Sequence, residues 1–131
     1  MHEAQRKVAK FHKALGIPVD CGCASGGGMP HADRRALRAS LIEEEARETV
    51  EALRSNRLVD TIDGLCDLLV VVYGTALEMG IDLEPHFNEV HASNMAKRGG
   101  PVREDGKMLK PEGWLPPDIN GILQTGRGRY T

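Results

Sequence analysis

The sequence predicts an all-α fold: a four-helix bundle with a long loop after the first helix and a C-terminal tail carrying a short hairpin. Three observations point there. Apolar residues recur at three- and four-residue intervals in four segments, each bounded by Gly, Pro or Asp. Aromatic residues make up only 4% of the chain, so the core must be aliphatic. The one β-like run, residues 68–73, lies inside 59–79, a stretch with a broad apolar helical surface and no turn signal. A buried helix is therefore expected there rather than a strand.

The first helix is expected over Glu3–Leu15, with apolar residues at 4, 8, 11 and 15, stopped by Gly16 and Pro18. Residues 17–32 read as a loop, long enough to suggest a lid or mobile segment. Asp33 is placed to cap a second helix running to about Asn56. A third helix spans from near Leu58 to Gly80, a good left-handed C′ residue. Asp82 caps the fourth, with Pro85 in its first turn and Gly99-Gly100 at its end. In the tail, Asp105-Gly106 between two short arms predicts a type I′ hairpin. Pro116-Pro117-Asp118 starts a short helix through Leu123, and the closing 125–131 has too little apolar content to fold alone.

The 131 residues suit one domain, 1–131, on a prior of roughly 100–200 residues each. Nineteen acidic against 17 basic side chains give a formal charge of −2, without the basic excess of a nucleic-acid binder. The longest apolar stretch is far short of the roughly 20 residues that span a bilayer, so no membrane partner is expected. The charged N-terminus lacks the apolar stretch of a secretory signal, and three cysteines cannot all pair within one chain, which suggests the cytoplasm.

Chemistry is concentrated in the second helix. Leu37, Leu41, Glu44, Glu45, Glu48 and Ala52 share one arc, while Glu43, Arg47, Glu51 and Arg54 alternate in sign on a solvated face. Glu44, Glu45 and Glu48 are like-charge neighbours. The third helix repeats the pattern: Asp60, Asp63, Asp67, Val70 and Gly74 form a stripe beside an apolar surface of Ile62, Leu65, Leu69 and Val72. A short turn packs the two helices antiparallel and lets the acidic stripes face each other. Two carboxylates about 6 Å apart repel by roughly 3 kcal/mol at an effective dielectric near 20. Five such groups approach the ~5–15 kcal/mol stability of a whole domain. Protonation relieves part of this, and a hard divalent cation relieves more. Two other metal-dependent patterns fail. No histidine follows a glutamate at the spacing of a ferritin-like site, and Arg47–Glu51 resembles the start of a Nudix box whose next glutamate is Ala52.

Glu44-Glu45-Ala-Arg-Glu48 followed by Asp63-Gly-Leu-Cys-Asp67-Leu-Leu resembles the all-α nucleoside triphosphate pyrophosphohydrolase superfamily, the MazG-like and phosphoribosyl-ATP pyrophosphohydrolase-like proteins. Their signature is Glu-x-x-Glu, a spacer and Glu-x-x-Asp on two helices of a four-helix bundle. The resemblance covers roughly residues 1–124 and is strongest over 41–77, with further likeness to the MazG-like branch in HASNMAK (91–97) and DGKMLKPEGWLPPD (105–118). One departure is that the third acid of the signature falls on Gly64. Either Asp63 takes its place, or Asp60-x-x-Asp63 is the pair. The resemblance implies Mg²⁺-dependent hydrolysis of a nucleoside triphosphate to monophosphate and pyrophosphate, with Mn²⁺ a substitute ion. It implies Glu44, Glu45, Glu48, Asp63 and Asp67 as ligands, one of the three glutamates acting on water, and a homodimer or homotetramer.

The candidate substrate is dUTP or another non-standard or surplus nucleotide. The alternatives are phosphoribosyl-ATP and, from another class, a non-catalytic metal-binding bundle. Asn94 on the fourth helix suits a base or sugar and Lys97 a phosphate. Lys107 and Lys110 are placed to close over phosphates. His12 can reach a base beside Phe11, which is itself expected in the core. Cys66 is expected to be buried, Cys21 and Cys23 with His31 form at most part of a zinc site, and Gly26–28 lacks the Gly-Lys-Ser/Thr of a P-loop.

Overall fold

A computed structural model describes residues 1–22 and 27–131. Five helices follow in order: α1 Glu3–Leu15, α2 Ala32–Arg54, α3 Leu58–Glu78, α4 Leu83–Met95 and α5 Ile119–Thr125. The all-α expectation holds, and residues 68–73 are helical throughout. α1 ends at left-handed Gly16 (φ 67°), whose N–H reaches the carbonyls of His12 and Lys13. His31, not Asp33, is the N-cap of α2; Asp33 stands in the first turn, where its charge meets the positive end of the helix. The Asp82 carboxylate accepts from Glu84 N at 3.0 Å and caps α4, and Asp118 caps α5 by accepting from Gly121 N at 2.8 Å. α4 stops at Met95, short of Gly99, and α5 runs two residues past Leu123.

The hairpin forms with a different turn. Arg103 N–H donates to Lys107 O at 2.8 Å, Gly106 N–H to Arg103 O at 2.8 Å, and Val102 bridges Met108. Gly106 is left-handed (φ 91°) and Asp105 is not, so a three-residue loop replaces the type I′ turn, which needs two positive φ values. The closing residues are held by pairing: Ile81 bridges Arg129, Asp82 N–H donates to Gly128 O, and Tyr130 N–H to Gly80 O.

The helices pack α1 and α2 against α3, and α4 against α5. Val8, Ala9 and Leu77 form a small core, flanked by Tyr73 and Tyr130. Polar side chains do much of the remaining tying. Gln5, fully buried, donates to Ile81 O and accepts from Leu83 N, clasping the α3–α4 turn. Arg38 reaches from α2 to Thr75 Oγ1 (3.0 Å), Val71 O (2.8 Å) and Glu78 (3.4 Å) on α3. Glu78, 1% exposed, also takes Arg34 at 2.9 Å. Gly74 admits this network, because a Cβ there would press on Arg38 and on His12 Nε2.

Two packing expectations are overturned. Phe11 is 47% exposed and His12 is 2% exposed, the reverse of the predicted arrangement. The buried imidazole finds a hydrogen-bond partner in Pro18 O at 3.0 Å, which the phenyl ring cannot use. Cys66 is a free, exposed thiol, because it shares the uncovered face of Ile62, Leu65 and Leu69. Among the described residues, no helix is long and apolar enough to cross a membrane.

Glu78→Gln is expected to destabilise the fold by ~3 kcal/mol, since Arg38 is then left buried without a counter-charge. The double variant Glu78→Leu, Arg38→Met should lose less, as both charges leave together. Urea unfolding followed by circular dichroism compares the two.

Candidate active site

The tight turn at residues 55–57, with left-handed Asn56 (φ 53°), folds α3 back on α2. The acidic half of each helix is thereby brought to one end of the hairpin. An open cleft of about 300 Å³ forms there, lined by Glu48, Glu51, Ala52, Arg57, Asp60, Asp63, Gly64 and Asp67. Gly64 marks a close approach of the two helices. A Cβ on it would meet Thr49 Oγ1 at 2.6 Å and Thr49 Cα at 3.3 Å. Thr49 is itself fixed, donating its hydroxyl to Glu45 O at 2.7 Å. The position where the signature has an acid is therefore a helix–helix contact in this chain.

The neighbouring aspartates differ. Asp60 is paired with Arg57 at 3.0 Å, and Arg57 lies 3.9 Å from Glu51. Asp63 and Asp67 make no ion pair among the described residues. Glu45 has its carboxyl pushed above the ordinary value, first by partial burial and then by the charges of Asp67, Glu48, Glu44 and Asp63. The electrostatic set around Glu45 is thus Glu44, Glu48, Asp63 and Asp67, without Asp60.

The donors are all carboxylate oxygens, which suit a hard divalent cation. Their mutual repulsion at Glu45 gives such an ion something to neutralise. Among the described residues no three His, Cys, Asp or Glu side chains converge into a ready metal site, so binding has to draw these carboxylates inward. The chemistry of the donor set fits Mg²⁺, which keeps water ligands and needs few protein oxygens.

Two cleft residues escaped the sequence reading. Glu51, assigned to the solvated face, stands on the rim with Arg57. Arg57 itself, three residues before Asp60, carries the spacing of a helical ion pair and was the available signal.

The four predicted substrate residues separate into two places. His12 is buried between α1 and α3, against Gly74. Asn94, Lys97 and Lys110 gather elsewhere: Lys97 Nζ donates to Asn94 Oδ1 at 2.9 Å, and Lys97 and Lys110 stand 5.3 and 4.7 Å from the Trp114 ring centre. None of the three lines the acidic cleft. Lys107 is exposed, and the Cys21/Cys23 suggestion and the start of the Gly26–28 run fall partly on 23–26, outside the described residues.

With the two acidic helices and their register in place, the family is decided by a match to the phosphoribosyl-ATP pyrophosphohydrolase model over residues 28–94, more than half of the chain. The chain belongs to that family. The matched stretch contains α2, α3 and the start of the candidate substrate segment at Asn94. Membership supports pyrophosphohydrolase activity in general and places the chain in the MazG-like all-α superfamily. The chain is also 44% identical over 77 residues to an uncharacterised protein of Acanthamoeba polyphaga mimivirus. That similarity covers 59% of this chain and 31% of the viral protein, so the chain spans about a third of that relative's length.

The raised Glu45 carboxyl fixes a sign for pH dependence without metal. A folded-state pKa above the ordinary 4.5 means that ionised Glu45 costs stability, and that the cost disappears as pH falls through the raised value. Glu45→Gln is expected to raise the metal-free melting temperature at neutral pH by about 1–3 °C. The gain should vanish as pH approaches 4.5, as differential scanning calorimetry in EDTA measures.

Proposed function

We propose that this chain is a divalent-metal-dependent nucleoside triphosphate pyrophosphohydrolase, cutting between the α- and β-phosphates to give a monophosphate and pyrophosphate. The observation that carries the reading is the pair of acidic helices: Glu48, Asp63 and Asp67 line the cleft and, with Glu44, load charge onto Glu45, which like Glu44 is not among the lining residues. Mg²⁺, with Mn²⁺ as a substitute, supplies charge neutralisation at the phosphate oxygens. Glu44, Glu45, Glu48, Asp63 and Asp67 are the residues assigned to hold it. One of the three glutamates accepts the proton of the attacking water, a task for a carboxylate not fully engaged with the ion. Arg57 keeps Asp60 occupied and so leaves Asp63 and Asp67 as the free pair on α3. Asn94, Lys97 and Lys110 are assigned to the nucleotide.

The substrate favoured is dUTP or another non-standard or surplus nucleotide. A second reading, phosphoribosyl-ATP, is favoured by the description of the matching family. A panel of both substrate types with pyrophosphate detection separates them, and silence across the panel would favour a metal-binding bundle without catalysis. Release of orthophosphate and a nucleoside diphosphate would contradict the proposed bond.

The assembly proposed is a homodimer or homotetramer. Its support is the uncovered apolar face of α3, where Ile62, Leu65 and Leu69 are each about half exposed, continued by Leu58 and Val59 at the turn. Light scattering coupled to gel filtration is expected to give twice or four times the 14.3 kDa chain mass.

Asp67→Asn is expected to lower kcat/KM at least ~10²-fold, equivalent to about 2.7 kcal/mol of transition-state stabilisation. Folding should survive, because one of several repelling charges is removed. Asp63→Asn should be nearly as damaging and Asp60→Asn milder. Steady-state pyrophosphate release tests all three, and near-normal turnover by Asp67→Asn would sink the two-helix site.

A further inference from the structure

At the opposite end of α3 from the acidic cleft, α4 and α5 border a second open cavity, of about 390 Å³. Met79 and Ile81 line it from the α3–α4 turn, Phe87 and Val90 from α4, and Ile119 and Leu123 from α5. Met79 stands twelve residues beyond Asp67, about 18 Å at the rise of a helix, and the two cavities share no lining residue. The turn is braced from two sides. Gly28 N–H donates to Met79 O at 2.9 Å, and a Cβ on Gly27 would press on Ile81 Cδ1. Ile81 also bridges Arg129 of the tail. α5 is tied to α4 through its cap, Asp118 N–H donating to Glu89 Oε1 at 3.0 Å.

One polar side chain lines this cavity. His86 is 6% exposed, both its ring nitrogens are closed to solvent, and among the described residues neither has a hydrogen-bond partner. A neutral imidazole carries one donor and one acceptor, and leaving both unmade inside a protein costs stability. The ring is nevertheless held in place. A Cβ on Gly128 would press on His86 Nε2, and Gly128 is itself anchored by Asp82 N–H at 2.9 Å. His12, the other imidazole buried to this degree, has its partner in Pro18 O. A fixed, buried imidazole without a protein partner calls for one from a molecule in the cavity beside it.

The remaining lining sets the character of that molecule. No Asp, Glu, Lys or Arg lines the cavity, so an ionised ligand would lose its hydration with nothing in return. Phe87 meets His2 edge-to-face at 5.5 Å between ring centres, yet is 59% exposed. Its free face and the Met79 thioether both favour an aromatic ring as neighbour.

We infer that this cavity binds a small, neutral aromatic molecule carrying one hydroxyl or ring N–H, with His86 as the partner of that group. A turn of the imidazole brings one nitrogen onto the ligand and exchanges an unmade hydrogen bond for a made one. The site lies outside the proposed reaction and stands whether or not that reaction occurs.

The test uses the full chain with ¹³C-labelled methionine methyl groups. It is titrated with phenol, with toluene as the counterpart lacking the hydroxyl, and with benzoate as the charged counterpart. Met79 lines the cavity, whereas Met95 and Met108 do not and serve as controls. A saturable shift of the Met79 signal is expected with phenol, without one at Met95 or Met108, and benzoate should bind at least tenfold more weakly. The ratio of phenol to toluene affinity should fall at least tenfold in His86→Phe. The unaltered chain gives a second reading that needs no variant: the His86 ring nitrogens, followed by ¹⁵N resonance, should move with phenol and stay still with toluene. Absence of a saturable shift at Met79 overturns the inference, as does a phenol response that leaves the His86 nitrogens unmoved. A Met79 signal that moves with protein concentration alone, as the mass doubles, makes a second copy the occupant and overturns it as well.

Discussion

The carboxylate of Glu78, buried between Arg34 and Arg38, is the constraint from which the rest of the hairpin takes its register. An ionised group with 1% exposure tolerates no slip of one helix along the other, because a slip strands its charge away from both guanidinium groups. Arg38 extends the lock by reaching Val71 O and Thr75 Oγ1, so it is anchored to backbone as well as to charge. Two glycines then let the helices close. Gly74 lies against Arg38 and Gly64 against Thr49, contacts that run in opposite directions along the two helices. Between them, Glu45 falls opposite Asp67, and Asp67 is the strongest of the charges acting on Glu45.

That geometry separates the cost from its compensation. Repelling carboxylates gather at the turn end of the hairpin, where the only cation lining the cleft is Arg57. The compact packing lies at the other end, with Val8, Ala9 and Leu77, the Gln5 clasp and the buried His12. The open acidic cleft is thereby kept away from the contacts that hold the fold.

Most helix boundaries and the acidic stripes were legible in the sequence because they depend on local rules, although His31 rather than Asp33 caps α2 and α4 ends at Met95 rather than at Gly99. Gly16 and Asp82 act within one turn of their own positions, and a 100° period places Glu45 and Glu48 on one face whatever the helix packs against. The misreadings depend on partners distant in sequence. His12 is inside and Phe11 outside because Pro18 O and Gly74 make a polar cradle that no pattern of apolar residues reveals. Cys66 is exposed because, among the described residues, nothing covers its face of α3. The hairpin turn differed because Asp105 pairs with Arg103 and stays out of the left-handed region, leaving Gly106 alone to take it. Gly64 looked like a missing acid, and its role as a contact point emerges only when Thr49 is placed beside it.

The chain's formal charge of −2 hides a spatial division of much larger charges. Negative groups meet at the α2–α3 turn, while the unpaired lysines gather beyond α4 around Trp114. Family membership accounts for the first assembly, since the match spans both acidic helices and ends at Asn94. Lys97, Lys110 and Trp114 lie past that end, on a turn and hairpin ordered by Gly99, Gly100 and the Ser93–Trp114 hydrogen bond. A shared acidic hairpin can carry one reaction for many nucleotides, because metal and phosphate chemistry is the same for each. What distinguishes this chain's ligand must then be sought in groups outside the hairpin, and the most ordered of the candidates named here are those packed on the single tryptophan.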